Sequence, residues 1–185
     1  KNTFSNLYVD KVFFADFYSL PKFGKTKLGQ KLLYAKQAQV QKLTKEVSLE
    51  ALPLIKKIIS KYKIDTLSFV PPTIPRNLQF IKEFEKYLSL SFPKIKLTKA
   101  YSGDVPVAQK TLSKLEERIQ NARDTIYIKN NDVNFKNILI IDDAIGSGST
   151  INEIALKLKK VNTKGHIYGF GVVGSFKGFD VISEV

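Results

Sequence analysis

Residues 138–151 read Ile-Leu-Ile-Ile-Asp-Asp-Ala-Ile-Gly-Ser-Gly-Ser-Thr-Ile. Four apolar residues lead into two adjacent carboxylates, Asp142 and Asp143, and these into a run of small and hydroxylated residues: Ala144, Ile145, Gly146, Ser147, Gly148, Ser149 and Thr150. An unbroken apolar run of this length reads as a strand buried on both faces. The carboxylates at its end accept hydrogen bonds from sugar hydroxyls or help hold Mg²⁺. Glycines let the backbone turn and bring its N–H groups close to a ligand. The segment that follows places Ile151, Ile154, Ala155 and Leu158 on one face of a helix, whose amino terminus attracts anions. A phosphate cradle beside two hydroxyl acceptors describes a site for ribose 5-phosphate.

Other readings of the same residues fit less well. A dinucleotide fingerprint needs a third glycine after Gly146-Ser147-Gly148, where Ile151 stands instead, and a Walker A loop needs Gly-Lys-Ser/Thr. A receiver domain carries its acid pair near its start, whereas only 42 residues follow Asp143. The bland alternative is a turn in which Ser147 or Ser149 caps a helix.

The elements that must position this segment alternate between strand and helix. Residues 2–18 read as a strand or an extended arm, and residues 28–39 as a helix. Residues 48–62 carry Leu52, Ile55, Ile58 and Ile59 at helical spacing, with Pro53 expected in the first turn. Residues 66–70 form a short buried strand ended by Pro71, Pro72 and Pro75. A helix over 76–90, a strand over 95–100, a polar loop over 101–108, a charged helix over 112–122 and a strand over 125–129 follow. The apolar strand spans 137–142, and a last strand covers 165–173. This order predicts an α/β fold: a mainly parallel central sheet flanked by helices, with ligands bound beyond the carboxyl ends of its strands.

Composition bounds the chemistry. At 185 residues the chain is expected to form one structural domain, with residues 1–63 a basic segment packed on a core of residues 64–185. No cysteine is present, so disulfides, a thiol nucleophile and thiolate-held zinc are excluded, and a single histidine excludes a two-histidine relay. Apolar runs fall far short of the ~20 residues of a membrane helix, no secretory signal opens the chain, and a cytoplasmic location is expected. Because the chain begins at Lys1 and contains no methionine, residue 1 is not read as the native start. Net charge is +13, and the first 63 residues alone hold 13 lysines against four acids, a net of +9. Such an excess suits polyanions, either a phosphorylated metabolite or nucleic acid. The strong bias of lysine over arginine equally suits a solvated basic surface.

The stretch from the apolar strand through Thr150 resembles the 5-phosphoribosyl 1-diphosphate (PRPP) signature of type I phosphoribosyltransferases. The resemblance implies that fold, with a flexible lid loop, and assigns Asp142 and Asp143 to the ribose hydroxyls and, through the substrate, to Mg²⁺. It assigns Ala144, Ile145, Gly146, Ser147, Gly148, Ser149 and Thr150 to the 5-phosphate, with Gly146-Ser147-Gly148 in place of the usual Thr-Thr-Gly. Gln109, Leu112, Arg118 and Asn121 are similar to a pattern of the competence protein F (ComF) branch, with a gap one residue longer, and Lys36 is similar to a lysine further upstream. Phe69-Val70-Pro71-Pro72 and Arg76 resemble that branch's strand end and basic turn, which implies a pyrophosphate loop of Pro71, Pro72, Thr73 and Arg76. The zinc finger common in that branch is absent from this sequence, which has no cysteine.

The implied activity is transfer of a phosphoribosyl group from PRPP to a base, with Gln109, Lys110, Arg118 and Asn121 on a lid and Lys110, Lys114 and Arg118 meeting pyrophosphate charge. The alternative is a non-enzymatic module that senses PRPP or handles single-stranded DNA, with Phe13, Phe14, Phe17, Tyr18 and Phe23 as a stacking surface. Phe176 and Phe179 are expected to close the end of the core or to stack on a base, and His166 to be a surface or edge residue at the entry to the last strand. Neither the acceptor base nor the oligomeric state is legible.

Overall fold

The computed structural model describes residues 4, 6–101, 112, 114–129, 134–162 and 164–176. Its elements are β1 (Lys11–Phe17), β2 (Ser19–Leu20), β3 (Gly24–Lys25), α1 (Lys27–Gln37), α2 (Gln41–Tyr62), β4 (Thr66–Phe69), α3 (Phe80–Leu88), β5 (Lys94–Ile95), β6 (Leu97–Lys99), α4 (Leu115–Thr125), β7 (Ile126–Ile128), β8 (Asn137–Ile145), α5 (Ser149–Val161) and β9 (His166–Gly174). Five strands form one parallel sheet in the order β1-β9-β8-β4-β5, and β2/β3 and β6/β7 are small antiparallel pairs.

The apolar run of β8 is unbroken because both of its faces are covered. Leu139 and Ile141 pack into a core shared with α1, α2 and α3. Ile138 and Ile140 face the opposite core, shared with α4 and α5. The sheet is therefore mainly parallel and flanked by helices, as its alternating elements predict.

Several boundaries differ from the sequence reading, each for a local reason. Residues 2–18 yield the strand β1, which pairs with β9 and makes an edge of the main sheet. Helix α2 begins at Gln41, so Pro53 lies in its interior rather than in its first turn. Pro53 is exposed and so is Leu49, whose carbonyl loses its helical donor, so water can take that bond. Helix α3 starts only at Phe80, because the proline-rich stretch after β4 keeps the chain extended. The strand expected over 95–100 divides between β5, in the main sheet, and β6, which pairs with β7.

The boundary of β8 matters most. Its pairing with β4 stops at Ile141, whereas its pairing with β9 continues to Ile145. Asp142 and Asp143 thus lie within the strand, on a flank that β4 has vacated. From β4 the chain leaves through α3 to β5, and from β8 it leaves through α5 to β9 in the opposite direction along the sheet. The crevice between β4 and β8 is a topological switch point, where open α/β sheets bind ligands.

Two glycines let α5 start close to the sheet. Gly148, the residue before α5, has φ +79°, a left-handed conformation that side chains disfavour. A Cβ on Gly169 of β9 would lie 2.9 Å from Ile151 Cγ2, so the glycine admits the first turn of α5 onto the strand.

Candidate functional site

A cleft of about 210 Å³ opens at the switch point. Its walls come from the loop after β4 (Pro71, Pro72, Thr73, Arg76), from Asp142 through Thr150, and from Lys36, Lys99 and Arg118. The charged side chains lining it are thus four cations and two carboxylates, a net of +2 suited to an anionic ligand.

The acid pair lines this cleft. Asp142 Oδ1 accepts the Asp143 N–H at 2.8 Å, which turns one carboxylate against the backbone. Asp143 Oδ2 stands 2.9 Å from Lys36 Nζ, in the last turn of α1. Burial, and then the neighbouring Asp143 charge, push the Asp142 carboxyl up to about 7. Lys99, at the end of β6, donates to Thr73 Oγ1. Burial pushes the pKa of its ammonium down, against the pull of Asp142 and Asp143. Lys36 and Lys99 therefore offset part of the repulsion between two carboxylates held side by side.

The Gly/Ser turn supplies donors. The N-cap of α5 is Gly148, not Ser147 or Ser149 as a serine cap would require, and the Asn152 N–H donates to the Gly148 carbonyl at 2.9 Å. Ser147 and Ser149 are buried and linked, with 3.0 Å between their hydroxyls and the Ser149 N–H donating to Ser147 Oγ at 3.4 Å. First-turn amides of a helix have no carbonyl within the helix to reach, and the first-turn residues Ser149, Thr150 and Ile151 of α5 line the cleft.

The cations have less uniform surroundings. Arg76 lines the cleft and donates to the Lys36 carbonyl, which ties the loop after β4 to the end of α1. The Leu78 N–H donates to Gln39 Oε1 at 2.8 Å and strengthens that tie. Arg118 is only 5% exposed. Its Nε donates to the Leu112 carbonyl at 2.8 Å, and burial pushes its pKa down. Helix α4, which carries it, is clamped to α5 by Arg123, whose guanidinium meets Glu153 at 2.9 and 3.1 Å. Lys157 closes the same joint by donating to the Arg123 and Ile126 carbonyls.

The expected site residues are therefore brought together only in part. Asp142, Asp143, the turn from Ala144 to Thr150, Pro71, Pro72, Thr73, Arg76 and Arg118 share one cleft. Asn121 and Lys114 do not line it; the Asn121 carbonyl instead accepts from Thr125 Oγ1 at 2.6 Å. Gln109 and Lys110, with most of the expected lid loop, and Phe179 lie outside the described residues. The aromatic set proposed for stacking is scattered. Tyr18 is core, Phe13 packs on Tyr62, Phe14 and Phe17 pack on each other, and Phe23 stands 85% exposed. Phe176 meets Phe17 edge-on at 5.2 Å, and His166, the first residue of the inner strand β9, is exposed and 3.3 Å from Asp10.

Lys99 escaped the sequence reading. A basic residue ending a strand just before a polar loop is the signal that could have found it, because strand ends on this side of an α/β sheet meet the ligand. No group of three or more His, Asp or Glu side chains among the described residues could hold a metal by itself. The pair Asp142 and Asp143 fits the way Mg²⁺ is commonly held, by one or two carboxylates together with substrate phosphates. No helix among the described residues is long and apolar enough to cross a membrane.

No family model and no curated protein matches the chain. Among solved structures it is similar to Helicobacter pylori xanthine-guanine-hypoxanthine phosphoribosyltransferase, at 13% identity over 74% of this chain and 77% of that one, with a TM-score of 0.42. It is also similar to a hypoxanthine phosphoribosyltransferase from Staphylococcus aureus, at 11% identity over 71% of this chain and 62% of that one, with a TM-score of 0.35. Likeness at this level assigns no activity, and the functional reading rests on the cleft itself.

Proposed function

We propose that the cleft binds PRPP and that the protein transfers its phosphoribosyl group to a base, releasing pyrophosphate. One observation carries this reading: the acid pair of β8 and the amide- and hydroxyl-rich turn into α5 open on one cleft, at the switch point of a parallel sheet. A sugar phosphate offers vicinal hydroxyls to the carboxylates and a phosphate monoester to the turn. The other cations lining the cleft, Arg76, Lys99 and Arg118, supply charge for the diphosphate.

In the reaction a lone pair on a base nitrogen attacks the ribose carbon that bears the diphosphate. The carbon–oxygen bond breaks, its electron pair leaves with pyrophosphate, and the base loses its N–H proton to solvent. The chain's residues position and neutralise. The turn of residues 146–150 anchors the 5-phosphate, Asp142 and Asp143 orient the ribose ring, and Arg76, Lys99 and Arg118 meet the charge that grows on the leaving group. Mg²⁺, when bound, would be held by Asp142 and Asp143 together with the substrate, and would supply further neutralisation of the diphosphate. With a leaving group this good, the reaction needs no general base from the chain.

The test is calorimetric titration of PRPP with Mg²⁺ into wild type, followed by pyrophosphate release with a panel of purine and pyrimidine bases. Saturable binding and release with at least one base are expected. Absence of PRPP binding by folded protein overturns the reading, and binding without turnover of any base reduces it to a PRPP-binding module.

A further inference from the structure

The most unusual contact in the cleft comes from outside the motif-bearing half of the chain. Lys36 lies 107 positions before Asp143, yet its Nζ stands 2.9 Å from Asp143 Oδ2, with the two side chains only 15% and 23% exposed. The position of Lys36 is also fixed at its backbone. Arg76 donates to its carbonyl, Gln39 holds the Leu78 N–H, and the helix end that carries it is thereby fastened to the loop after β4. Asp142 is oriented differently, by the Asp143 N–H. Each carboxylate of the pair thus has its own fixed partner, one from the adjacent peptide and one from a remote helix.

Two carboxylates side by side in a half-buried strand repel each other. A cation held 2.9 Å from one of them offsets that repulsion and fixes where its oxygens point. We infer that Lys36 is a positioning residue that holds Asp143 as the acceptor for a pentose diol, so that the cleft selects pentose 5-phosphates with a free cis-diol. This inference rests on the phosphoribosyl reading of the same cleft and deepens it. Lys36 acts on the ligand through Asp143, and the phosphates fall to the α5 turn and to Arg76, Lys99 and Arg118. Arg76, by the same geometry, secures Lys36.

The experiment separates diol recognition from phosphate recognition. Ribose 5-phosphate, 2-deoxyribose 5-phosphate and inorganic pyrophosphate are titrated by calorimetry into wild type, Lys36→Met, Lys36→Gln and Lys36→Arg, each checked for folding by thermal melting. Wild type is expected to prefer ribose 5-phosphate over its deoxy analogue about tenfold, for one hydrogen bond to a charged acceptor. Lys36→Met and Lys36→Gln are expected to abolish most of that preference while changing pyrophosphate affinity less than about twofold, and Lys36→Arg to restore part of it. An equal loss of pyrophosphate affinity makes Lys36 a phosphate contact and overturns the inference, as does a preference unchanged in the folded variants. Wild type that binds no pentose phosphate overturns the phosphoribosyl reading together with the inference, whereas binding without sensitivity to Lys36 removes the inference alone.

Discussion

The two halves of the cleft are built in opposite ways. One half is consecutive in the chain: β8, the acid pair, the Gly/Ser turn and the first turn of α5 occupy residues 137–151. Its functional groups are positioned by backbone geometry, through strand pairing on one flank only, a left-handed Gly148 and a helix start. The other half is assembled from α1, the loop after β4, the end of β6 and α4, each of which delivers one cation. Those side chains are placed by tertiary contacts: Arg76 on the Lys36 carbonyl, Lys99 on Thr73, and the Arg123–Glu153 clamp beneath Arg118. The first half can recur intact wherever its short segment recurs. The second exists only when the whole sheet has formed.

That contrast can be broken at chosen points. The largest effect is expected at the assembled half. Glu153→Ala leaves Arg123 without its bidentate partner and opens space at a carboxylate only 3% exposed. A loss of about 2 kcal/mol is expected, moderated because Arg123 can turn to water. Urea unfolding measures it, and a change below ~0.5 kcal/mol would show that the clamp does not hold α4. At the seam between the halves, Asp143→Asn should weaken PRPP binding at least tenfold, about 1.4 kcal/mol, by removing a charge-assisted contact. Unchanged affinity in the folded variant would falsify the assignment of the acid pair to the sugar.

Within the contiguous half, Gly148→Ala should cost roughly 1 kcal/mol of stability through its positive φ, seen as a lower urea midpoint with an unchanged slope. No loss would mean that the turn relaxes to another conformation. The effect at Asp142 is set by pH. Its folded-state pKa is raised to about 7 by burial and by Asp143, so the ionised form destabilises the fold. That penalty is absent below the unfolded value near 3.8, grows as pH rises, and is complete above about 7. Asp142→Asn should therefore melt above wild type at pH 8, with the gap closing towards pH 4. A gap that widens on acidification would contradict the raised value.

Legibility followed the same division. Ile138 through Thr150 could be read because strand, acid pair and turn are local, and their chemistry depends on neighbours in sequence. The strand β8 was read too short because its two flanks end at different residues, and one-dimensional patterning carries no information about flanks. Pro53 was misplaced because a proline on a solvent-facing turn leaves little mark on apolar spacing. The split of residues 95–100 between two sheets was hidden for a similar reason, since alternation does not say which partner a strand takes. Arg118 was named from resemblance, but its burial against the Leu112 carbonyl had no counterpart in a charged-helix reading.

Sequence alone determined the parallel α/β class and the chemistry of one segment, because both follow from short-range periodicity and from residue type. The tertiary structure decided that β4 stops short of Asp142, that a lysine 107 positions away reaches Asp143, and that four cations converge on one cleft. Those outcomes depend on which elements lie side by side, and that order is set by packing two cores at once on opposite faces of a single sheet.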